Sequence, residues 1–218
     1  DIRPSLPDRW ARDRFGLGQD RGQRMKLCIA DPPYLGRAAV WYGSGMHKSR
    51  LGKNHGGTAK IGGVRPADYH PDAHLWDNII HHQKMVDNLI TEYDGWVIAM
   101  AHDNLRDYLP LIPKGIPIRI GIWTKPQTMP SGARVINAYE PCVVRIPEGR
   151  RASNDQTIFP RDSVTIPRLN NGFPGAKPPP WTRWVLDMMG FDAEIDTVDD
   201  LFEGSGAVAQ ELAQGVLL

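Results

Sequence analysis

The sequence has few of the features that mark a secreted or membrane-spanning protein. Only two cysteines, Cys28 and Cys142, occur in 218 residues, and both lie in apolar runs. This pattern predicts buried free thiols in a reducing cytosol. No apolar run approaches the roughly 20 residues that cross a bilayer, and the charged N-terminus does not resemble a signal peptide. We therefore expect a cytoplasmic protein without a membrane segment.

An excess of charge of one sign is also missing. The formal net charge is +1, from 26 Lys and Arg against 25 Asp and Glu. This balance excludes the overall basic field of an architectural DNA-binding protein, so any contact with nucleic acid must come from local patches. A chain of this length with 41% hydrophobic residues is expected to form a globular domain around one substantial core.

Metal-ligand spacing is lacking as well. Four histidines lie close together in the sequence, namely His70, His74, His81 and His82. No cysteine pair accompanies them, so the sequence predicts surface or helix-start histidines and no metal site.

Apolar strands alternate with amphipathic helices along the rest of the chain, which predicts an α/β fold with a largely parallel sheet. Strands are expected at 25–30, 96–101, 118–123 and 139–146, with a short fifth strand near 199. Helices are expected at 72–93, 105–111, 184–189 and 207–212. Residues 1–24 are expected to form an irregular arm, and residues 25–218 a single domain.

The most informative motif is Asp31-Pro32-Pro33-Tyr34, which directly follows the first predicted strand. An exocyclic amino group on a nucleobase is a poor nucleophile, because its lone pair is delocalised into the ring. A carboxylate such as Asp31, together with a backbone carbonyl, could accept both amino hydrogens and expose that lone pair. The two prolines would stiffen the turn, and Tyr34 offers a ring on which a flipped base could stack. The alternative interpretation is an ordinary Asp-Pro turn.

A second motif lies near the other end of the chain. Residues 199–206 combine a short strand with a tight turn that contains Gly204 and Gly206, and the helix-like run 207–212 follows. Small residues at a helix start let a ligand approach the backbone. Alone, this motif also fits a simple strand-to-helix turn.

Together the two motifs resemble the S-adenosylmethionine-dependent amino-methyltransferases that modify adenine N6 or cytosine N4. Residues 120–126, 138–141 and 175–178 also look like parts of that family. The order of motifs resembles the circularly permuted β class, and most closely its small phage-type DNA methylases. The resemblance implies a Rossmann-like methyltransferase fold and S-adenosylmethionine as the cofactor.

The resemblance also implies roles for individual residues. Asp31 and the Pro32 carbonyl would accept the target amino hydrogens, Tyr34 would stack on the base, and the turn as a whole, including Pro33, would border the cofactor. The implied cofactor-binding residues are Asp200, Phe202, Gly204, Ser205, Gly206, Lys177 and Asp31. Of these, Lys177 would approach the methionine carboxylate or lie on the surface at a helix start, and Phe202 is expected to pack beneath the loop.

The chain departs from the family pattern after the glycine turn, where two more strands are expected and the sequence stops at Leu218. We therefore expect a sheet of about five strands with a reduced cofactor half, and we assign no ribose ligand. The strand before the glycine turn would lie near an edge, which the N-terminal arm, a second copy in a homodimer or a partner subunit could cover.

Two irregular segments are candidates for contact with nucleic acid. Residues 35–71 show neither helical nor strand periodicity and are expected to form a mobile substrate loop. Its predicted phosphate-binding residues are Arg37, Lys48, Arg50, Lys53 and Lys60. The resemblance implies that residues 147–174 would form a short target-recognition segment. Solvated surface loops are the alternative for both.

The aspartate that opens the turn favours adenine, because serine usually occupies this position in cytosine-N4 enzymes. The resemblance therefore implies adenine-N6 methylation of DNA. RNA adenine-N6 methylation, DNA cytosine-N4 methylation and a non-catalytic nucleic-acid-binding module of the same fold remain alternatives.

Overall fold

The computed structural model describes residues 23–42, 72–126, 134–151, 159–168, 176–204 and 206–215. Its strands are β1 (Lys26–Ala30), β2 (Gly95–Ala99), β3 (Arg119–Thr124), β4 (Tyr139–Arg145), β5 (Ser163–Thr165) and β6 (Thr197–Asp200). Its α-helices are α1 (Ala38–Tyr42), α2 (Ile79–Glu92), α3 (Leu105–Tyr108), α4 (Pro179–Met189) and α5 (Ala207–Gly215).

These six strands form one mixed, mostly parallel sheet in the order β5-β3-β4-β2-β1-β6. Strand β1 is parallel to both of its neighbours, β2 and β6, and β3 is parallel to β5. Only β4 runs in the opposite direction, because it is antiparallel to β2 and to β3. The α/β class and the largely parallel sheet predicted from the sequence are therefore confirmed.

Helices cover both faces of the sheet. Alternate residues of β1 and β2 point to opposite faces, so Leu27 and Val97 pack with α4 and α5, whereas Cys28 and Trp96 pack with α2 and α3. Both cysteines are buried free thiols, as predicted.

Two helices position the site, and their ends follow from local sequence. Helix α2 begins after Asn78, whose side chain accepts a hydrogen bond from the Ile80 amide at 3.0 Å. Helix α4 begins with prolines, which suit the first helical turn. It ends at Gly190, which has a left-handed φ of 69° and donates its N–H to the carbonyls of Leu186 and Asp187.

The structure corrects three details. The sheet has six strands rather than about five, because β5 lies inside the segment 147–174 that we expected to be irregular. Helix α1 occupies part of 35–71, where the sequence shows no periodicity. The helix expected at 72–93 is a 3₁₀ turn, Ala73–Asp77, followed by α2.

Helix α1 is held by a distant residue, which explains why local periodicity does not predict it. The Asp77 carboxylate accepts hydrogen bonds from the amides of Ala38 and Ala39, at 2.9 and 3.0 Å. These bonds satisfy amides at a helix start that lack partners within the helix. Among the helices in the described residues, none combines the length and the apolar character that a membrane crossing requires.

Candidate active site

The carboxyl end of the sheet brings the two sequence motifs together. Strands β1 and β6 are parallel neighbours, with Ile29 opposite Asp200, and the Leu201 amide donates to the Ile29 carbonyl at 3.1 Å. The Asp31 turn and the glycine turn therefore leave the same end of adjacent strands. After β1 the chain forms the strands on the β2 side of the sheet and returns to the opposite side of β1 only with β6. In open α/β sheets, ligands bind at such a switch point.

The Asp31 carboxylate is bound to the Lys177 ammonium group. Lys177 Nζ lies 2.7 Å from both Asp31 oxygens and also donates to the Tyr34 hydroxyl at 3.0 Å. The Lys177 side chain is only 6% exposed, against 25% for that of Asp31. Lys177 therefore lies in the interior, and the surface position that we considered for it is wrong.

A second acid, Glu140, lies behind this pair. Its Oε2 accepts the Tyr34 hydroxyl proton at 2.9 Å and lies 3.8 Å from Lys177 Nζ, while its Oε1 is bound by Lys125. Lys125 lies just after β3, where its ammonium group faces the Trp123 ring at 4.6 Å. Because β4 is antiparallel to β3, Glu140 at the start of β4 lies at the same end of the sheet as Asp31.

The site contains two carboxylates, Asp31 and Glu140, and two ammonium groups, Lys177 and Lys125. Each carboxylate has an ammonium neighbour, which explains how the four charges coexist in the interior. Burial alone would raise the pKa of Glu140, but Lys177 and Lys125 hold it below its ordinary value. Burial likewise opposes the charge on Lys177, yet Asp31 and Glu140 raise its pKa. Burial raises the pKa of Asp31, although Lys177 acts in the opposite direction.

Tyr34 stays protonated in this setting. Burial and the neighbouring carboxylates of Glu140 and Asp31 raise its pKa well above the ordinary value. Its hydroxyl therefore acts as a fixed link between the Lys177 ammonium and the Glu140 carboxylate. The phenol cannot serve as a base at neutral pH.

The glycine turn has the backbone that its sequence predicts. Gly204 and Gly206 have left-handed φ angles of 42° and 72°. Open space surrounds the position that a Cβ atom would take at Gly206, so this backbone can be approached closely. Asp200 caps the turn by accepting the Phe202 amide at 3.1 Å, and burial raises its pKa, with a further contribution from Asp31.

A cleft of about 540 Å³ lies beside this turn. Strand β6 and helix α5 form its walls, and its polar lining includes Asp199, Asp200 and Glu203. Gly206 also lines it, whereas Asp31 and Lys177 do not. The Phe202 ring packs edge-on against the Trp76 ring, with 4.9 Å between the ring centroids.

Some of the other predicted site residues lie within the described residues and some lie outside them. Pro32 is buried and Pro33 half-buried in the turn between Asp31 and Tyr34. Arg37 pairs with Asp103 at 2.8 Å, so its guanidinium group already has an acidic partner. Five predicted residues lie outside the described residues, namely Lys48, Arg50, Lys53, Lys60 and Ser205.

Histidines at the described positions have structural contacts. His82 is completely buried, with Nδ1 2.5 Å from the Tyr108 hydroxyl and Nε2 2.7 Å from the Trp76 carbonyl. Across the described ranges, no three His, Cys, Asp or Glu side chains are grouped as a metal site would require. His70 lies outside these ranges.

Sequence reasoning missed Lys125 and Glu140 as members of the site. One signal could have found Glu140: it shares strand parity with Cys142 and Val144, which point to the buried face. An acid on the inward face of a strand requires a buried partner. That partner follows from the antiparallel pairing of β3 with β4.

Comparison with solved structures finds 13 similar chains. A solved structure described as the crystal structure of the M1.HpyAVI–SAM complex matches with a TM-score of 0.42 and 12% sequence identity. The match covers 89% of this chain and 79% of that chain. No family model and no curated protein matches the sequence. A similarity of this size does not by itself assign a function.

Proposed function

We propose that this protein transfers a methyl group from S-adenosylmethionine to the N6 amino group of adenine in DNA. One observation carries the proposal: the Asp31 turn and the glycine turn, which resemble the catalytic and cofactor motifs of one enzyme family, lie at the ends of the adjacent strands β1 and β6. The two turns together border the end of the sheet at which ligands bind in open α/β folds.

In this proposal Asp31 orients the nucleophile. Its carboxylate accepts one hydrogen of the adenine amino group and the Pro32 carbonyl accepts the other, which makes the nitrogen lone pair available. The nitrogen gains the methyl carbon and loses one proton with or after transfer, so Asp31 does not need to be a strong base. Its contribution is mainly positioning.

Tyr34 lies where it can support the base. Its hydroxyl is tied to Glu140 and Lys177, which fixes the ring orientation. A fixed ring is a suitable stacking surface for an extruded adenine, because little side-chain entropy is lost on binding.

The residues around the glycine turn fit the cofactor. Gly204 and Gly206 leave room for the methionine part, and the Asp200 carboxylate suits its amino group. Lys177 is bound to Asp31 and does not line the cleft, so its ammonium group is assigned to the catalytic turn and not to the cofactor carboxylate. When bound, S-adenosylmethionine would supply the methyl group and leave as the neutral thioether S-adenosylhomocysteine. The cleft beside β6 and α5 offers space for the remainder of the molecule.

Contacts outside the site are also part of the proposal. The segments 35–71 and 147–174 would contact phosphates and the target sequence, and a second copy or a partner subunit would cover the free side of β6. The permuted order of the motifs and the single-domain organisation remain predictions.

The test is a methyl-transfer assay with isotope-labelled S-adenosylmethionine on matched DNA and RNA oligonucleotides. Asp31→Asn keeps the side-chain volume and should reduce transfer by about a hundredfold or more, because the turn loses its charged acceptor. Asp94→Asn, at an exposed acid that accepts the Lys26 amide, is the matched control and should retain activity. Circular dichroism checks that both variants are folded.

The alternatives give different results in this experiment. Methylation confined to RNA, or to cytosine in DNA, would replace the assignment by the corresponding alternative. Absence of transfer to either nucleic acid, together with no calorimetric binding of S-adenosylmethionine, would support the non-catalytic module and refute the enzyme.

A further inference from the structure

Glu140 lies outside both sequence motifs, yet it contacts three other residues of the site. Its two carboxylate oxygens face different partners: Oε1 binds Lys125, and Oε2 accepts the Tyr34 hydroxyl at 2.9 Å and lies 3.8 Å from Lys177 Nζ. The Glu140 side chain is 16% exposed. A carboxylate this deep needs these partners to remain ionised.

The same geometry poses a problem for the proposed reaction. Both oxygens of Asp31 lie 2.7 Å from the Lys177 ammonium group. An incoming amino group must donate to one of these oxygens, so the ammonium has to give up at least part of its contact with Asp31. Lys177 is 6% exposed, and leaving a buried ammonium without a carboxylate partner is strongly unfavourable.

Glu140 provides an alternative partner close to the first. The Lys177 ammonium already donates to the Tyr34 hydroxyl at 3.0 Å, and Tyr34 in turn donates to Glu140. A movement of about 1 Å would bring the ammonium from its 3.8 Å separation to the 2.7–2.9 Å typical of a charged hydrogen bond. The ammonium would thus pass from one carboxylate to the other without entering solvent.

Lys125 makes Glu140 suited to this role. Lys125 binds Oε1 of Glu140, so Oε2 remains directed at Tyr34 and Lys177. Together with Lys177 it also holds the pKa of Glu140 below its ordinary value, although burial alone would raise it, so the acceptor is charged when Lys177 arrives.

We propose that Glu140 is a positioning residue that holds the Lys177 ammonium group while a substrate amino group takes its place on Asp31. This inference rests on the proposed function, because the amino group is that of the target base. Lys125 and Tyr34 orient Glu140 for the exchange, and no bond is made or broken in it.

The principal test is Glu140→Gln, which keeps the shape and can still accept the Tyr34 hydroxyl but lacks the negative charge. We expect kcat for methyl transfer to fall about tenfold or more, with calorimetric affinity for S-adenosylhomocysteine within about threefold of wild type. Glu140→Asp restores the charge and should recover part of kcat. Glu148→Gln, at an exposed acid in the 3₁₀ turn after β4, is the matched control.

A second readout does not depend on turnover. In protein labelled with ¹⁵N-lysine, the ammonium resonance of Lys177 is assigned by its loss in Lys177→Met. In wild type it should shift when a methylatable oligonucleotide and S-adenosylhomocysteine bind together, because the ammonium changes carboxylates. In Glu140→Gln this shift should be absent.

The outcomes separate the two proposals. Absence of methyl transfer by wild type would overturn the proposed function and this inference with it. Active wild type with an unchanged kcat in Glu140→Gln, or with a Lys177 resonance that does not respond to the oligonucleotide, would overturn only the role of Glu140. If Glu140→Gln does not fold, Tyr34→Phe, which removes the bridging hydroxyl, takes its place with the same expected split between kcat and cofactor affinity.

Discussion

The Lys177 ammonium group lies 2.7 Å from both carboxylate oxygens of Asp31, although the two residues are 146 positions apart in the chain. Asp31 directly follows β1, and Lys177 precedes α4. The contact therefore ties the sheet to the helix layer at the point where the two sequence motifs meet.

Breaking this pair should make stability depend on pH in a defined direction. In Lys177→Met, burial and Glu140 raise the Asp31 pKa against Lys125 alone, so the carboxyl group is tolerated when protonated and costs stability once it ionises. We expect a loss of roughly 2 kcal/mol in the free energy of unfolding at pH 7, below the cost for fully buried pairs because Asp31 is 25% exposed. The loss should be smaller at pH 4.

Urea unfolding at the two pH values measures this effect. Lys26→Met removes an exposed lysine 3.8 Å from Asp199 and should cost less than about 1 kcal/mol at either pH. Equal losses at pH 4 and pH 7 in Lys177→Met would show that Asp31 does not carry the effect.

A second buried acid fixes the start of β1. The Asp196 side chain is fully buried, and its carboxylate accepts the amides of Met25 and Asp192, each at 2.8 Å, as well as Arg150 at 3.1 Å. We expect Asp196→Ala to reduce the free energy of unfolding by about 3–5 kcal/mol, because it leaves a buried guanidinium and two amides without their acceptor.

Asp94→Ala is the matched comparison, because Asp94 accepts the next amide, that of Lys26, at an exposed position. It should cost about 1 kcal/mol or less. Chemical denaturation of the two variants side by side measures the difference, and similar losses would argue against the buried cluster as its cause.

An element of the fold can be predicted from the sequence when neighbouring residues determine it, and not when residues far away in the chain do. Strand β2 and helix α2 carry their own apolar patterns, so they could be recognised locally. Strand β5 has only three residues, too few for any periodicity, and it exists because Ile122 to Thr124 provide a pairing edge. Helix α1 likewise depends on the distant Asp77.

The same distinction applies to the site. Asp31 and the glycine turn could be found because each lies in a motif with its own chemistry. Strand parity alone points to Glu140 as a buried acid, but its pairing with Lys125 could not be found, because that pairing depends on the antiparallel register of β3 and β4, which brings Trp123 opposite Glu140. The burial of Lys177 also depends on packing that no local pattern encodes.

Close packing of α4 on the sheet should make Gly121 intolerant of a larger residue. A Cβ atom there would lie 2.7 Å from Cys142 Sγ and 2.9 Å from Trp184 Cη2, closer than real contacts allow. We expect Gly121→Ala to destabilise the protein by about 1–3 kcal/mol. At Gly115 a Cβ atom would meet nothing within 4 Å, so Gly115→Ala is the control. Thermal unfolding compares them, and an unchanged melting temperature in Gly121→Ala would contradict the packing argument.

Protonation of His82 should weaken the fold below neutral pH. Burial lowers its pKa below the ordinary value of about 6.5, and the neutral ring is satisfied by donating to the Trp76 carbonyl and accepting from Tyr108. A lowered folded-state pKa contributes stability above about pH 6.5 that is lost as the pH falls towards the folded value.

We therefore expect wild type to lose more stability than His82→Gln between pH 7 and pH 5, although the variant is less stable at pH 7. His81→Gln, one position away on α2, should follow the wild-type slope. Urea unfolding across this range provides the measurement, and parallel slopes for wild type and His82→Gln would exclude His82 as the titrating group.

Strand β6 pairs, within the described part of the chain, with β1 alone. That pairing sets Ile29 opposite Asp200. A slip of β6 by one residue would turn the Asp200 side chain to the other face of the sheet. Alignment along this ladder therefore decides whether the glycine turn and the Asp31 turn stay in register with each other.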